Sequence, residues 1–151
     1  MIYFYRSTII KTIEGRPVEF LVISSTTQML NKEEHIKDKD LFRKTRKPEA
    51  FGSGKKAIVI GARVHPGEIP GSHVMTGIID ELTSDSEFAV LLRNTFVFYI
   101  FPIFNPDGVS RGHYRVDTNG INLNRCYLNP SAKDHPSIYA ARSIIMHLHN
   151  Q

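Results

Sequence analysis

The stretch Lys56-Ala57-Ile58-Val59-Ile60-Gly61, followed by Ala62-Arg63-Val64 and then His65-Pro66-Gly67-Glu68, decides the reading of this chain. Its first six residues are a compact apolar run of the kind that a strand buried on both faces requires. The His-Pro-Gly-Glu turn breaks the run. Pro70, just beyond, suits the first turn of a helix, where its missing N–H would have no partner anyway. Val74, Ile78, Ile79 and Leu82 then recur as one apolar stripe at helical spacing.

The pattern continues outward in both directions. A second short helix is expected over residues 86–93, and a buried-type strand over 95–104. Asn105-Pro106-Asp107-Gly108 then gives a strong turn signal. Residues 110–130 are polar and irregular. Helical spacing returns over 137–149, with Ile138, Ile144, Ile145 and Leu148 as the inward residues. Upstream, residues 5–13 and 17–24 are rich in Ile, Val, Thr and Phe and flank Glu14-Gly15-Arg16, which reads as a β-hairpin. Residues 26–56 read as a lysine-rich loop or a partly disordered segment. Strand, helix, helix, strand, loop, helix is the rhythm of an α/β fold. The expectation is part of an α/β/α sandwich on a mixed, largely parallel sheet.

Composition excludes several classes. The chain has 151 residues, the size of one domain, and is 41% hydrophobic and 23% charged, which supports a single core rather than a disordered tail. Cys126 is the one cysteine, so no disulfide forms within the chain and a reducing, cytosolic setting is the simpler expectation. No apolar run approaches the ~20 residues of a membrane helix, and the first residues lack a signal-peptide pattern. Of the net charge of +4, three units come from residues 31–48, where Lys32, Lys37, Lys39, Arg43, Lys44, Arg46 and Lys47 outnumber Glu33, Glu34, Asp38 and Asp40. A basic stretch favours acidic partners in general, although a solvated loop is the plainer reading. Phe42 is its only aromatic residue, so nucleic acid is not expected as a partner.

The residues that could carry chemistry follow the strands. His65 and Glu68 sit where ligand sites of α/β sheets gather, beyond the carboxyl end of a strand. An imidazole and a carboxylate three residues apart suit Zn²⁺, at about 2.0–2.2 Å. Pro66-Gly67 sharpens the bend and leaves no bulk against a metal. A second cluster comprises Arg115 and Asn122-Leu123-Asn124-Arg125. It reads equally as a carboxylate receptor or as surface arginines in ordinary salt bridges. His147 and His149, two apart on a helix, share no metal. His113 is a candidate substrate contact, and His35, His73 and His135 are structural or solvated. Cys126, beside Arg125, is a candidate for a lowered thiol pKa, with no companion that marks a nucleophile.

Residues 61–68 (Gly-Ala-Arg-Val-His-Pro-Gly-Glu), 105–109 (Asn-Pro-Asp-Gly-Val), 111–115 (Arg-Gly-His-Tyr-Arg) and 120–125 (Gly-Ile-Asn-Leu-Asn-Arg) together resemble the ordered motifs of the zinc metallocarboxypeptidases. Their cytosolic carboxypeptidase subfamily is the most similar group. The resemblance implies one catalytic Zn²⁺ held by His65 and Glu68, with Arg115 polarising the scissile carbonyl. Asn124 and Arg125 would grip the substrate's terminal carboxylate. It implies a third histidine ligand and a glutamate general base as well, neither of which occurs by residue 151. The chain is therefore expected to be the N-terminal part of a catalytic domain, inactive alone, with residues 1–6 as the end of a preceding β-rich domain. The implied substrates are polyglutamylated protein tails such as tubulin's, in the cytosol. Two alternatives stand beside this reading, an aspartoacylase-type amidohydrolase and a non-catalytic binding module for acidic tails.

Overall fold

The computed structural model of the chain describes residues 1–150. Strand β1 (Ile2–Lys11) and strand β2 (Pro17–Ser25) form the hairpin, paired antiparallel from Ile2↔Ser25 to Lys11↔Pro17. Strand β5 (Lys56–Gly61) leads into helix α1 (Pro70–Thr83), then α2 (Glu87–Thr95), and β6 (Phe96–Phe101) returns parallel to β5. The sheet order is β1-β2-β6-β5, with β2 and β6 antiparallel, so the sheet is mixed and its parallel pairing lies at the α-crossover. Helices α3 (Pro106–Arg111) and α4 (Pro136–His149) follow, separated by a short 3-10 turn at Leu123–Arg125.

Alternation along the central strands builds two apolar layers. Val18, Phe20 and Val22 of β2, with Val97, Tyr99 and Phe101 of β6, face α4 through Ile138, Ala141 and Ile144. Leu21, Ile23, Phe98 and Ile100 face the other way, onto Met75 and Leu82 of α1. Successive side chains of a strand point to opposite faces, so these near-continuous apolar runs serve both layers. Phe20 is fully buried, and truncating it to alanine should cost about 3–5 kcal/mol.

Several expectations need correction. Residues 56–61 are not buried on both faces; β5 has only β6 beside it, and its side chains stay half-buried or exposed. The inward stripe of α1 is Met75, Ile78, Ile79 and Leu82, so only Val74 of the expected stripe turns outward, at 63% exposed, and Ile145 of α4 is also exposed. Asn-Pro-Asp-Gly is a helix start rather than a plain turn: Asn105 caps α3 by accepting from the Gly108 N–H at 2.9 Å, and Pro106 takes the first helical position.

The segment 26–56 is more ordered than a loop. It carries the two-stranded ribbon of β3 (Met29–Glu33) and β4 (Glu49–Phe51), and it tucks Ile36, Leu41 and Phe42 into the α4-side core. Its charges are partly paired within the segment: Arg43 with Asp40, Arg46 with Glu33 and Glu49, and the Lys47 ammonium donating to the Ile36 carbonyl at 2.6 Å. Among the described residues no helix is long and apolar enough to cross a membrane.

Candidate metal centre

Strands β5 and β6 end side by side, Gly61 opposite Phe101. Their exits are tied together: the Ala62 N–H donates to the Phe101 carbonyl, Phe104 N–H to Ala62, and Asn105 N–H to Arg63, at 2.9–3.1 Å. The His65 bend and the start of α3 therefore lie together at the carboxyl ends of the parallel pair. Arg63 adopts a left-handed conformation, φ 55°, which costs a residue with a Cβ roughly 1–2 kcal/mol. Its guanidinium holds it there, donating from Nε (3.0 Å) and Nη2 (2.5 Å) to the Pro66 carbonyl and from Nη1 to Ser72 Oγ (2.6 Å). One side chain thus ties the bend to the first turn of α1.

His65 is 6% exposed, while the Glu68 side chain is 57% exposed. Nδ1 of His65 lies 2.8 Å from Glu68 Oε1, and Nε2 lies 3.1 Å from Asn122 Oδ1. That same Oδ1 accepts from the Asn124 N–H at 3.1 Å, which fixes it as an acceptor and makes Nε2 of His65 the donor. Nδ1 and a carboxylate oxygen at 2.8 Å then need an electropositive centre between them, a proton or a metal ion. An imidazole nitrogen and a carboxylate, with the other ring nitrogen anchored by an outer amide, form a donor set that fits zinc. Among the described residues no further His, Cys, Asp or Glu completes a three-ligand group with them. An open groove of about 690 Å³ runs beside Glu68, bounded by Arg63, Val74, Met75 and Tyr114.

The bend is pressed against the loop that carries Arg115. Gly67 donates its N–H to the Tyr114 carbonyl at 2.8 Å, and a Cβ on Gly67 would stand 2.5 Å from the Tyr114 ring and 2.8 Å from that carbonyl. Glycine is required there because the Tyr114 ring and backbone approach so closely. Pro66 packs over Gly108, so the bend and α3 interlock. The Leu123–Arg125 turn is joined to His65 through Asn122, which places Asn124 and Arg125 one turn from the bend.

Arg115, Asn124 and Arg125 are exposed, and neither arginine pairs with a carboxylate among the described residues; Arg125 donates only to the Asn124 carbonyl, at 3.1 Å. The reading as ordinary salt bridges therefore finds no partner. His113 Nδ1 contacts the Asp117 carbonyl at 3.1 Å, a local loop contact. His147 meets Glu34 on the far end of α4, at 3.1 Å, away from the bend. Cys126 runs against the expectation of a lowered pKa: burial, with the Asp117 charge adding, pushes its thiol up.

The contacts of three residues escape a reading by sequence. Arg63 is an ordinary exposed-type arginine until its fork is seen. Asn122 carries a signal, three positions before Arg125, but its contact with His65 spans 57 residues. Asp107 is 3% exposed and accepts from Thr12 Oγ1 (2.7 Å), Arg16 Nη1 (2.9 Å) and the Glu14 N–H (3.1 Å), which pins the distant hairpin turn beneath α3.

In sequence and in fold the chain is similar to known proteins. The profile of the peptidase M14 family, zinc carboxypeptidase, matches residues 5–143. Cytosolic carboxypeptidase-like protein 5 of Danio rerio is 42% identical over 99% of this chain, and cytosolic carboxypeptidase 6 of Caenorhabditis elegans is 38% identical over 98%. The chain spans 17% and 28% of those relatives' lengths. A crystal structure of a metallo-carboxypeptidase from Burkholderia cenocepacia superposes with a TM-score of 0.71 at 27% identity, over 95% of this chain and 33% of that one.

Proposed function

The chain belongs to the zinc carboxypeptidase family, and on that premise we propose that it forms part of a carboxypeptidase that removes glutamate from polyglutamylated protein tails, such as tubulin's, in the cytosol. The observation that carries the reading is the buried His65 ring held between Glu68 and Asn122. His65 and Glu68 would hold the zinc, with a third protein ligand and the general base supplied from outside residues 1–151. Bound there, zinc supplies Lewis acidity toward the scissile carbonyl and activates water near neutral pH.

The chain's own residues bind and orient. Arg125 and Asn124, exposed beside the bend and without a carboxylate or cation partner among the described residues, would receive the free carboxylate of the substrate, Arg125 through its guanidinium fork. That contact confines attack to a terminal residue. Arg115, held near the bend through the Tyr114 carbonyl and Gly67, would donate to the carbonyl oxygen as negative charge develops on it. Water adds to the carbonyl carbon, the C–N bond breaks, and the departing amine takes up a proton, which gives a shortened tail and free glutamate. An acidic tail also matches the chain's positive balance.

The test uses the full-length protein that contains this chain. A glutamylated tubulin-tail peptide should release glutamate, and Arg125→Ala should raise KM with zinc content unchanged. Glu68→Ala should lower zinc content. Equal turnover of the peptide with its terminal carboxylates amidated would remove the carboxylate-receptor role, and unchanged zinc in Glu68→Ala would remove Glu68 as a ligand. Residues 1–151 alone should release no glutamate; turnover by this piece would show that it holds the whole machinery.

A further inference from the structure

Asp117 takes no part in the chemistry described above, yet it sits in the loop that carries Arg115, Asn124 and Arg125. We propose that Asp117 is a positioning residue, an inference that rests on the carboxypeptidase reading. By closing residues 117–121 into a turn, it fixes the spacing between Arg115 and the Asn124–Arg125 pair. That spacing sets how strictly the site selects a free terminal carboxylate.

The loop meets the His65 bend twice. The Tyr114 carbonyl accepts from the Gly67 N–H at 2.8 Å, and Asn122 Oδ1 lies 3.1 Å from His65 Nε2. Arg115 directly follows the first contact, while Asn124 and Arg125 stand two and three residues past the second. The span between the two contacts therefore decides how the arginines stand relative to each other. Core packing does not hold that span: Arg115, Asn119, Gly120 and Ile121 are all exposed. Ion pairing does not hold it either, since neither arginine has a carboxylate partner among the described residues.

Hydrogen bonds to Asp117 hold it instead. Asp117 is buried, at 3% exposed, and its Oδ1 accepts from the Asn119 N–H at 2.9 Å and from the Ile121 N–H at 2.8 Å. Its backbone closes the same turn: the Asp117 N–H donates to the Ile121 carbonyl at 2.9 Å, and its carbonyl accepts from the Gly120 N–H at 3.2 Å. Gly120, at φ 76°, takes the left-handed step. Asp and Asn side chains close such a turn, serine does so more weakly, and alanine has no acceptor for it. Oδ2 is closed off from solvent and makes no hydrogen bond among the described residues, so an amide nitrogen in its place breaks no bond. One oxygen serving two N–H groups, with the other idle, points to a geometric role rather than an ion pair.

The test compares Asp117→Ala, Asp117→Ser and Asp117→Asn in the full-length protein, at equal zinc content. The first measurement is a ratio: kcat/KM for a glutamylated tubulin-tail peptide with a free carboxyl terminus over kcat/KM for the same peptide amidated there. Loss of folded enzyme lowers both rates alike and leaves the ratio unmoved, whereas a displaced arginine shrinks it. Asp117→Ala should shrink the ratio by about ten- to hundredfold, Asp117→Ser by less, and Asp117→Asn by under about threefold. The second measurement is hydrogen exchange at the Asn119 and Ile121 amides, which should quicken by about tenfold or more in Asp117→Ala but not in Asp117→Asn. Should Asp117→Ala fail to fold, Asp117→Ser carries the comparison with Asp117→Asn. A parental ratio in the alanine and serine variants overturns the proposal. So does an equal fall in Asp117→Asn and Asp117→Ala, which would make charge rather than the turn the operative feature, and so does unchanged amide exchange in Asp117→Ala. A parent with no preference for the free carboxylate defeats the carboxypeptidase reading instead, and the exchange measurement tells the two failures apart because it needs no turnover.

Discussion

Replacing Gly67 by alanine tests the interlock between the bend and the arginine loop. The added Cβ would meet the Tyr114 ring at 2.5 Å, the Tyr114 carbonyl oxygen at 2.8 Å and Tyr114 Cα at 3.1 Å. Two of those three atoms are backbone, so no side-chain rotation relieves the clash. Overpacking of this kind costs about 1–3 kcal/mol. Moving the loop away also breaks the Gly67 N–H bond to the Tyr114 carbonyl, worth about 1 kcal/mol more. A total of about 2–4 kcal/mol should lower the melting temperature by roughly 5–15 °C for a chain of this size. The control is Gly77→Ala, an exposed position inside α1 with nothing within 4 Å, which should gain about 0.5–1 kcal/mol from helix propensity. Differential scanning calorimetry on both variants reads the contrast directly. A Gly67→Ala protein that melts with the parent would refute the claim that backbone proximity selects glycine there. In the full-length enzyme the same change should also lower kcat/KM by up to about a hundredfold, because Arg115 follows the displaced Tyr114.

Other outcomes follow from the same geometry. Asn122→Ala should weaken zinc binding by about 10–100-fold in the full-length protein, read by chelator competition, because His65 Nε2 loses its acceptor; Asn122→Asp should retain it, and equal loss in both would argue against the orienting contact. Asp107→Ala should cost about 2–4 kcal/mol in urea unfolding, since it strips three donors of a buried acceptor, and a loss under about 1 kcal/mol would contradict its anchoring role. The Glu14 carboxyl is held down from its ordinary 4.5 to about 2, chiefly by Arg16, with Thr118 and Arg111 adding. A depressed carboxylate stabilises the fold above its unfolded pKa, and that contribution is lost as pH falls through the folded value. The melting temperature should therefore drop between about pH 4.5 and 2, and Glu14→Gln should flatten that drop.

Much of the fold was legible because its signals are local. The hairpin, the β5–α1 passage, α2 and α4 all announce themselves by periodicity and turn residues within windows of a dozen positions. Boundaries slipped where a cap outweighed a turn propensity, as at Asn105, and burial was misjudged where position in the sheet outweighed composition, as at β5. The ribbon in residues 26–56 escaped because its strands are three and five residues long and polar, and because its anchors, Ile36, Leu41 and Phe42, are scattered among lysines.

The amino-acid order alone determined which donors stand on the bend: His65 and Glu68 lie three residues apart after a strand, and no folding is needed to see that they are near each other. It also determined the ordered motifs by which the family is recognised. Only the tertiary structure decided what holds those donors in place. Asn122 reaches His65 across 57 residues, Tyr114 closes on Gly67 across 47, and Asp107 ties α3 to a hairpin turn more than 90 residues earlier. A side chain's hydrogen-bonding partner across such separations depends on how layers of sheet and helix stack, and a one-dimensional pattern carries no trace of that stacking until the core has brought the two segments into contact.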